Sequence, residues 1–164
     1  MTRSVVVHDF ESFRKAARPL AAADIRPSEI IWQDPAAAQT DLFGTASHAE
    51  LPDLPAAQAA PRVPRRFVEL AEIGVLYRSA DRFDLLYRVL YRLTHGEPQL
   101  LEDEVDADVR ALQLRVQSVR KDEHRMHAFV RFRKLQLEAA EVFVAWYAPE
   151  HHILRLAAPF FERR

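Results

Sequence analysis

The sequence predicts an α+β fold: an N-terminal β-α-β unit, a helical middle, and an antiparallel β-hairpin with a closing helix, all around one core. Three patterns predict it. Two short β-branched runs near the start flank an amphipathic stretch. Segments between residues 66 and 121 repeat apolar residues at helical spacing, and two later segments alternate polar and apolar residues with the period of a strand. At 164 residues and 49% hydrophobic, the chain can bury one core, so a single domain with a linker is expected.

Taken in order, Ser4 to Val7 reads as a strand. Asp9 stands where an N-cap would start a helix bearing Phe10, Phe13, Ala17 and Leu20, and Pro27 ends that stretch. Ile30 to Trp32 reads as a second strand, parallel to the first through a right-handed crossover. Residues 1–34 thus form the β-α-β segment. Residues 35–64 hold Pro35, Pro52, Pro55, Pro61 and Pro64, five of the chain's ten prolines, and show no sustained period. This Ala/Pro-rich stretch is expected to be a mobile linker or loop, with Leu42 and Phe43 as the only apolar pair able to dock.

Residues 65–164 are expected to pack with 1–34 as one domain. Arg66 to Arg78 has helical spacing at Phe67, Leu70, Ala71, Gly74 and Tyr77. Asp81 can cap a further helix reaching His95, stopped by Gly96 and Pro98. In that helix Phe83, Leu85, Leu86, Val89, Leu90 and Leu93 leave one polar stripe, which marks it as central, and Asp84 with Arg88 has the favourable i, i+4 order for an ion pair. Val105, Val109, Leu112, Val116 and Val119 mark the next helix, acidic at its start and basic at its end, as the helix dipole favours. Met126 to Arg133 and Glu141 to Tyr147 then read as antiparallel strands joined near Leu135 to Ala140. Pro149 at a first helical position would open a closing helix that Pro159 cuts short.

Composition excludes several classes. The chain has no cysteine, which removes disulfides, thiolate metal sites and cysteine nucleophiles and points to a reducing compartment. Met1 to Phe10 lacks the apolar core of a signal peptide, and no stretch approaches the roughly 20 apolar residues that span a bilayer. A cytoplasmic location without membrane contact is therefore expected. Net charge is only −1, so a nucleic-acid role would need a local basic surface.

That surface is sought in Arg120 to Lys134. If Met126, Ala128, Val130 and Phe132 form one face of a strand, His127, Phe129, Arg131 and Arg133 form the other, beside Arg120, Lys121, His124 and Arg125. Such a mixture can hold phosphates by charge and stack a base on Phe129. The plainer reading is a solvated strand, with Phe129 covered and the arginines paired to the acids at Glu102 to Asp108. His124, His127, His151 and His152, with Glu150 or Asp122, invite a metal hypothesis, but no metalloenzyme spacing is present and no metal or cofactor is expected. His8 and Asp9 lie at the ligand edge of the parallel pair, where an N-cap role for Asp9 is the simpler account. Glu150 with His151 is an acid-base pair without a nucleophile. There is no phosphate loop, dinucleotide fingerprint or GxSxG elbow.

The stretches YRVLYR (87–92), VRKDEHRMHAFVRF (119–132), WYAPEHHIL (146–154) and AAPFF (157–161) resemble the bacterial domain of unknown function 4130, and the β-α-β segment and connector resemble the region preceding it. The resemblance implies a role in DNA metabolism. It implies as partners DNA and either a radical-SAM repair protein or an X-type uracil-DNA glycosylase-like domain fused after it. It also implies that this chain is a fragment or separated module, since family members usually continue beyond the position of Arg164. The glycosylase motifs are absent, so the chain alone is not expected to be a glycosylase. Three roles compete: an accessory module contacting nucleic acid or a repair enzyme through Arg120 to Arg133; an enzyme using convergent histidines with Glu150 as base; and a protein-docking scaffold, whose sign would be an exposed apolar patch.

Overall fold

The computed structural model describes residues 2–35, 62–137 and 140–163. Most of the expected linker, with Leu42 and Phe43, lies outside the described residues. The chain is α+β, with five α-helices and two small sheets among the described residues.

Strand β1 (Arg3–Val6) pairs in parallel with β2 (Ile30–Gln33), Arg3 opposite Ile30 and Val6 opposite Gln33, with α1 (Phe10–Ala22) as the crossover. Asp9 is the N-cap of α1. Its carboxylate accepts from the Ser12 N–H at 2.8 Å, while the Ser12 hydroxyl accepts from the Asp9 N–H at 3.1 Å, a reciprocal box that satisfies two otherwise orphaned donors. The Ser12 hydroxyl, donating to Asp9 Oδ1 at 2.7 Å, and then the Ser12 N–H hold the Asp9 carboxyl below its ordinary range.

Helix α2 (Arg65–Gly74) is shorter than its spacing suggests, ending four residues before Arg78. Gly74 is where α2 and α4 (Ala107–Phe129) come closest, since a Cβ there would stand 2.8 Å from Leu112 Cδ1. Helix α3 (Arg82–Thr94) is central as expected, burying Phe83, Leu85, Leu86, Tyr87, Val89, Leu90 and Leu93. Phe13, Trp32, Phe83 and Tyr87 interlock, with ring centroids 5.2 Å apart for Phe13 and Trp32 and 5.4 Å for Trp32 and Tyr87. Gly96 takes the positive φ of 106° that the chain needs to leave α3.

Several expectations are corrected. Asp81 precedes α3 but makes no capping bond; its carboxylate pairs with Arg115 at 2.6 Å. Arg88 turns from Asp84 to Asp108 at 2.9 Å, and Arg92 takes Asp106 at 2.7 Å, Asp108 at 3.2 Å and Glu97 at 2.7 Å. The acidic start of α4 is thus spent on α3 and not on the basic residues at its own far end. The largest correction concerns Met126 to Phe129, which continue α4 as helix. The hairpin is β3 (Arg133–Leu137) with β4 (Ala140–Val144), Arg133 opposite Val144 and Leu137 opposite Ala140, so β3 occupies what was expected to be the loop. Pro149 lies in irregular chain, and the closing helix α5 (Leu154–Glu162) starts later and contains Pro159.

The main core runs from Val5 to Val116 in sequence. A smaller cluster of Val119, Met126, Val130, Ile153 and Ala157 joins it through the half-buried Ile73 and Leu76. Among the described residues no helix is long and apolar enough to cross a membrane.

Candidate nucleic-acid interface

Helix α4 divides sharply around its axis. Val109, Leu112, Val116, Val119, Asp122 and Met126 are buried. Arg110, Leu114, Gln117, Lys121, His124 and Ala128 are exposed at spacings of four and three, which places them in one stripe along the solvent face, with the exposed Arg120 beside it. No carboxylate lies on that stripe. Arg110, Arg120, Lys121 and, on the hairpin, Arg133 make no salt bridge among the described residues, so their charge is available to solvent or to an anionic partner.

The other expected residues divide between exposed and committed. Phe129 projects from the last turn with 69% of its surface exposed. Arg131 donates to the Ala128 and Val130 carbonyls at 2.7 and 3.0 Å, screening the negative end of the helix. Arg125 is tied to Glu150 at 2.6 Å, and His127 turns inward, stacked on Phe160 at 4.1 Å and edge-on to Phe161 at 5.6 Å. The premise of a strand face was therefore wrong, yet Arg120, Lys121, His124, Phe129, Arg131 and Arg133 all reach the surface. Sequence reasoning missed Arg110, whose spacing from Leu114, Gln117 and Lys121 becomes visible once the helix is extended. It also missed Phe132, Phe143 and Trp146 as surface aromatics.

Among the described residues the hairpin has almost no cover. Every described residue of β3 is exposed, and Leu135, Leu137 and Val144 share one face with Arg133 because directly paired residues point the same way. Lys134 and Phe143 share the other face, towards α5.

The histidines do not converge. His124 stands on the α4 surface, His127 belongs to the aromatic cluster at α5, and His151 and His152 line a separate cleft of about 580 Å³ with His8, Asp9, Arg78 and Arg82. Among the described residues no three His, Asp or Glu side chains are grouped to hold a metal. His151 is buried and fully used. Its backbone N–H donates to the buried Asp122 at 2.9 Å, and Nδ1 accepts from the Arg78 N–H at 3.4 Å. In the neutral ring the proton then sits on Nε2, which donates to Ser118 Oγ at 2.8 Å. A histidine that donates to a serine does not take its proton, so this pair is a structural pin. Glu150, the expected base, is held ionised by its hydrogen bond to Arg125 and is the weaker base for it. His152 is kept below the ordinary imidazole range by desolvation and then by the Arg82 and Arg78 guanidiniums.

A family model described as a domain of unknown function, DUF4130, matches residues 80–164. The chain belongs to the DUF4130 family. No curated protein and no solved structure matches it. The DUF4130 region contains α3, α4, the hairpin and α5, and with them every residue of the cationic stripe. The cleft around His151 straddles the start of that region, because His8, Asp9 and Arg78 precede it.

Proposed function

We propose that the chain is a cytoplasmic accessory module of a bacterial DNA-repair or DNA-metabolism system that contacts nucleic acid through the outer face of α4. The observation that carries this reading is the exposed face of α4 with Arg110, Lys121 and the imidazole of His124 in one stripe that holds no carboxylate, Arg120 beside it, and Arg131, Arg133 and the exposed Phe129 at its end. Aligned cations at helical spacing suit a phosphate backbone, and an exposed ring suits a base. The resemblance of the sequence to a family that accompanies repair proteins supports DNA as the polymer. A radical-SAM or uracil-DNA glycosylase-like protein is on this reading the catalytic partner.

Fluorescence anisotropy with single-stranded DNA at low and moderate salt tests it. Binding should weaken steeply with salt, and replacing Arg120 or Lys121 by Ala should flatten the slope of log K against log salt by roughly 0.7–0.9 per charge. Phe129→Ala should lower affinity by about 1–3 kcal/mol and leave that slope alone. No binding at low salt, or binding unmoved by Arg120→Ala with Lys121→Ala, discards the reading.

The bare aliphatic face of Leu135, Leu137 and Val144 favours a second role, docking onto a protein partner. Leu135→Ser with Leu137→Ser would abolish capture of a glycosylase-like partner while leaving DNA affinity intact. Unchanged capture by that variant removes this second role.

A further inference from the structure

Between the end of α4, the hairpin and α5 lies a pocket of about 380 Å³ whose walls are His127, Phe132, Phe143, Phe160 and Phe161, with Arg131 beside them. The rings form a connected set. His127 lies nearly parallel to Phe160, 22° between planes, Phe161 stands edge-on to Phe160 at 5.1 Å, and Phe132 stands edge-on to Phe161 at 5.4 Å. Phe143 reaches the same pocket from β4 and keeps 61% of its surface exposed. Three separate elements thus turn aromatic faces to one small space on the surface.

We propose that this pocket receives one unstacked base of a single-stranded nucleic acid whose phosphates run along α4, an inference that rests on the nucleic-acid reading above. The chemistry of the lining selects that occupant. Aromatic walls also suit methylated ammonium groups, but such cages need negative potential, and here the lining has an arginine and no carboxylate. A purely aliphatic side chain would fill the space yet leave His127 Nε2 as it stands, covered by protein and without a hydrogen-bond partner. The edge of a base offers both donors and acceptors, and a slide of the stacked Phe160 ring brings Nε2 to it. A base also carries its own phosphate, which meets Arg131 at the foot of the helix. The pocket is large enough for one ring system and lies at the small end of ligand cavities. Stacking of splayed bases on aromatic side chains is the usual way proteins read single strands.

The test compares two probes on the whole chain by fluorescence anisotropy at one low salt concentration: a twelve-nucleotide oligothymidylate, and a strand of the same length built of abasic tetrahydrofuran units. The base-bearing strand should bind more tightly by roughly five- to a hundredfold. Phe143→Leu keeps apolar bulk at a surface position and should reduce that margin severalfold, leaving what Phe129 contributes, with the affinity for the abasic strand and the salt slope unchanged. Phe160→Leu should do the same, and a melting curve for each variant shows that it is folded. Equal, salt-sensitive binding of both strands overturns the pocket and leaves the phosphate stripe standing. A margin retained in both variants also overturns the pocket, because the bases then stack elsewhere. Failure of both strands to bind overturns the pocket and the reading beneath it.

Discussion

The protein's two tryptophans sit at opposite extremes. Trp32 is 7% exposed, wedged among Phe13, Phe83 and Tyr87, whereas Trp146, just past the hairpin, is 87% exposed. The two regions are similarly rich in aromatic residues, so hydrophobicity does not separate them. What separates them is a covering layer. One face of the parallel pair β1–β2, carrying Val5, Ile30 and Trp32, is buried against α1 and α3. Among the described residues the hairpin turns one face, with Phe143, towards α5 and the end of α4, and a two-stranded sheet cannot bury its own second face. Apolar groups left bare in this way are available for recognition.

Truncations should separate the two regions most strongly. Phe83→Ala is expected to cost about 3–5 kcal/mol and Leu86→Ala about 2–5 kcal/mol in urea unfolding, because each leaves a cavity in the aromatic core. Losses below about 1 kcal/mol at both positions would break the comparison at its root.

Next comes the ion pair that fastens β2 to α3. Arg82 is 5% exposed and bonded to Asp34 at 2.6 Å, with its Nε covered and unpartnered. Asp34→Ala should cost about 3 kcal/mol by stranding a buried guanidinium, whereas Asp34→Leu with Arg82→Met should recover most of it. Equal melting temperatures for the single and double variants would show that the site is wetter than its burial implies.

A smaller effect belongs to Asp106, which caps α4 through the Asp108 and Val109 N–H groups and pairs with Arg92. Asp106→Ala should cost about 1–2 kcal/mol. The Arg92 hydrogen bond holds this carboxyl below its ordinary value. Its stabilisation is therefore complete above the unfolded carboxylate range and is lost as pH falls through the folded value. The melting temperature of the wild type should drop more steeply on acidification than that of Asp106→Ala; parallel curves would remove Asp106 from the account.

The smallest changes are expected in the hairpin. Leu137→Ser and Trp146→Ala should each move stability by no more than about 0.5 kcal/mol in the isolated chain. A loss comparable to that of Leu86→Ala would mean that the hairpin has a cover in solution.

The N-terminal unit was legible because its signals agree: β-branched runs, an N-cap at Asp9 and Pro27 between helix and second strand. The end of α4 was not, because Met126, Ala128, Val130 and Phe132 fit a strand while Val119, Met126 and Val130 fit a helix. The buried Asp122 interrupts the apolar face that would have decided between them. Its role as acceptor for the His151 N–H is a tertiary fact with no local trace. Pro159 likewise suggested a stop, but it lies late in α5, where the packing of Ile153 and Ala157 holds the turn. The cationic residues were found despite the wrong period, because Arg120, Lys121 and His124 lie where the strand was not invoked. The aromatic pocket was hidden, since Phe132, Phe143 and Phe160 come from three segments whose proximity no spacing encodes.

The family region opens at residue 80, just ahead of α3, and this has a consequence for how such proteins are cut and joined. Phe83 and Tyr87, which belong to that region, spend their rings on Phe13 and Trp32, which precede it. What recurs between proteins as a block and what folds as a block therefore have different edges. Expressed from residue 80 onward, the segment would offer water the flank of its central helix. Any other chain that carries this region must bring its own wall to set against Phe83 and Tyr87, whatever sequence that wall is made from.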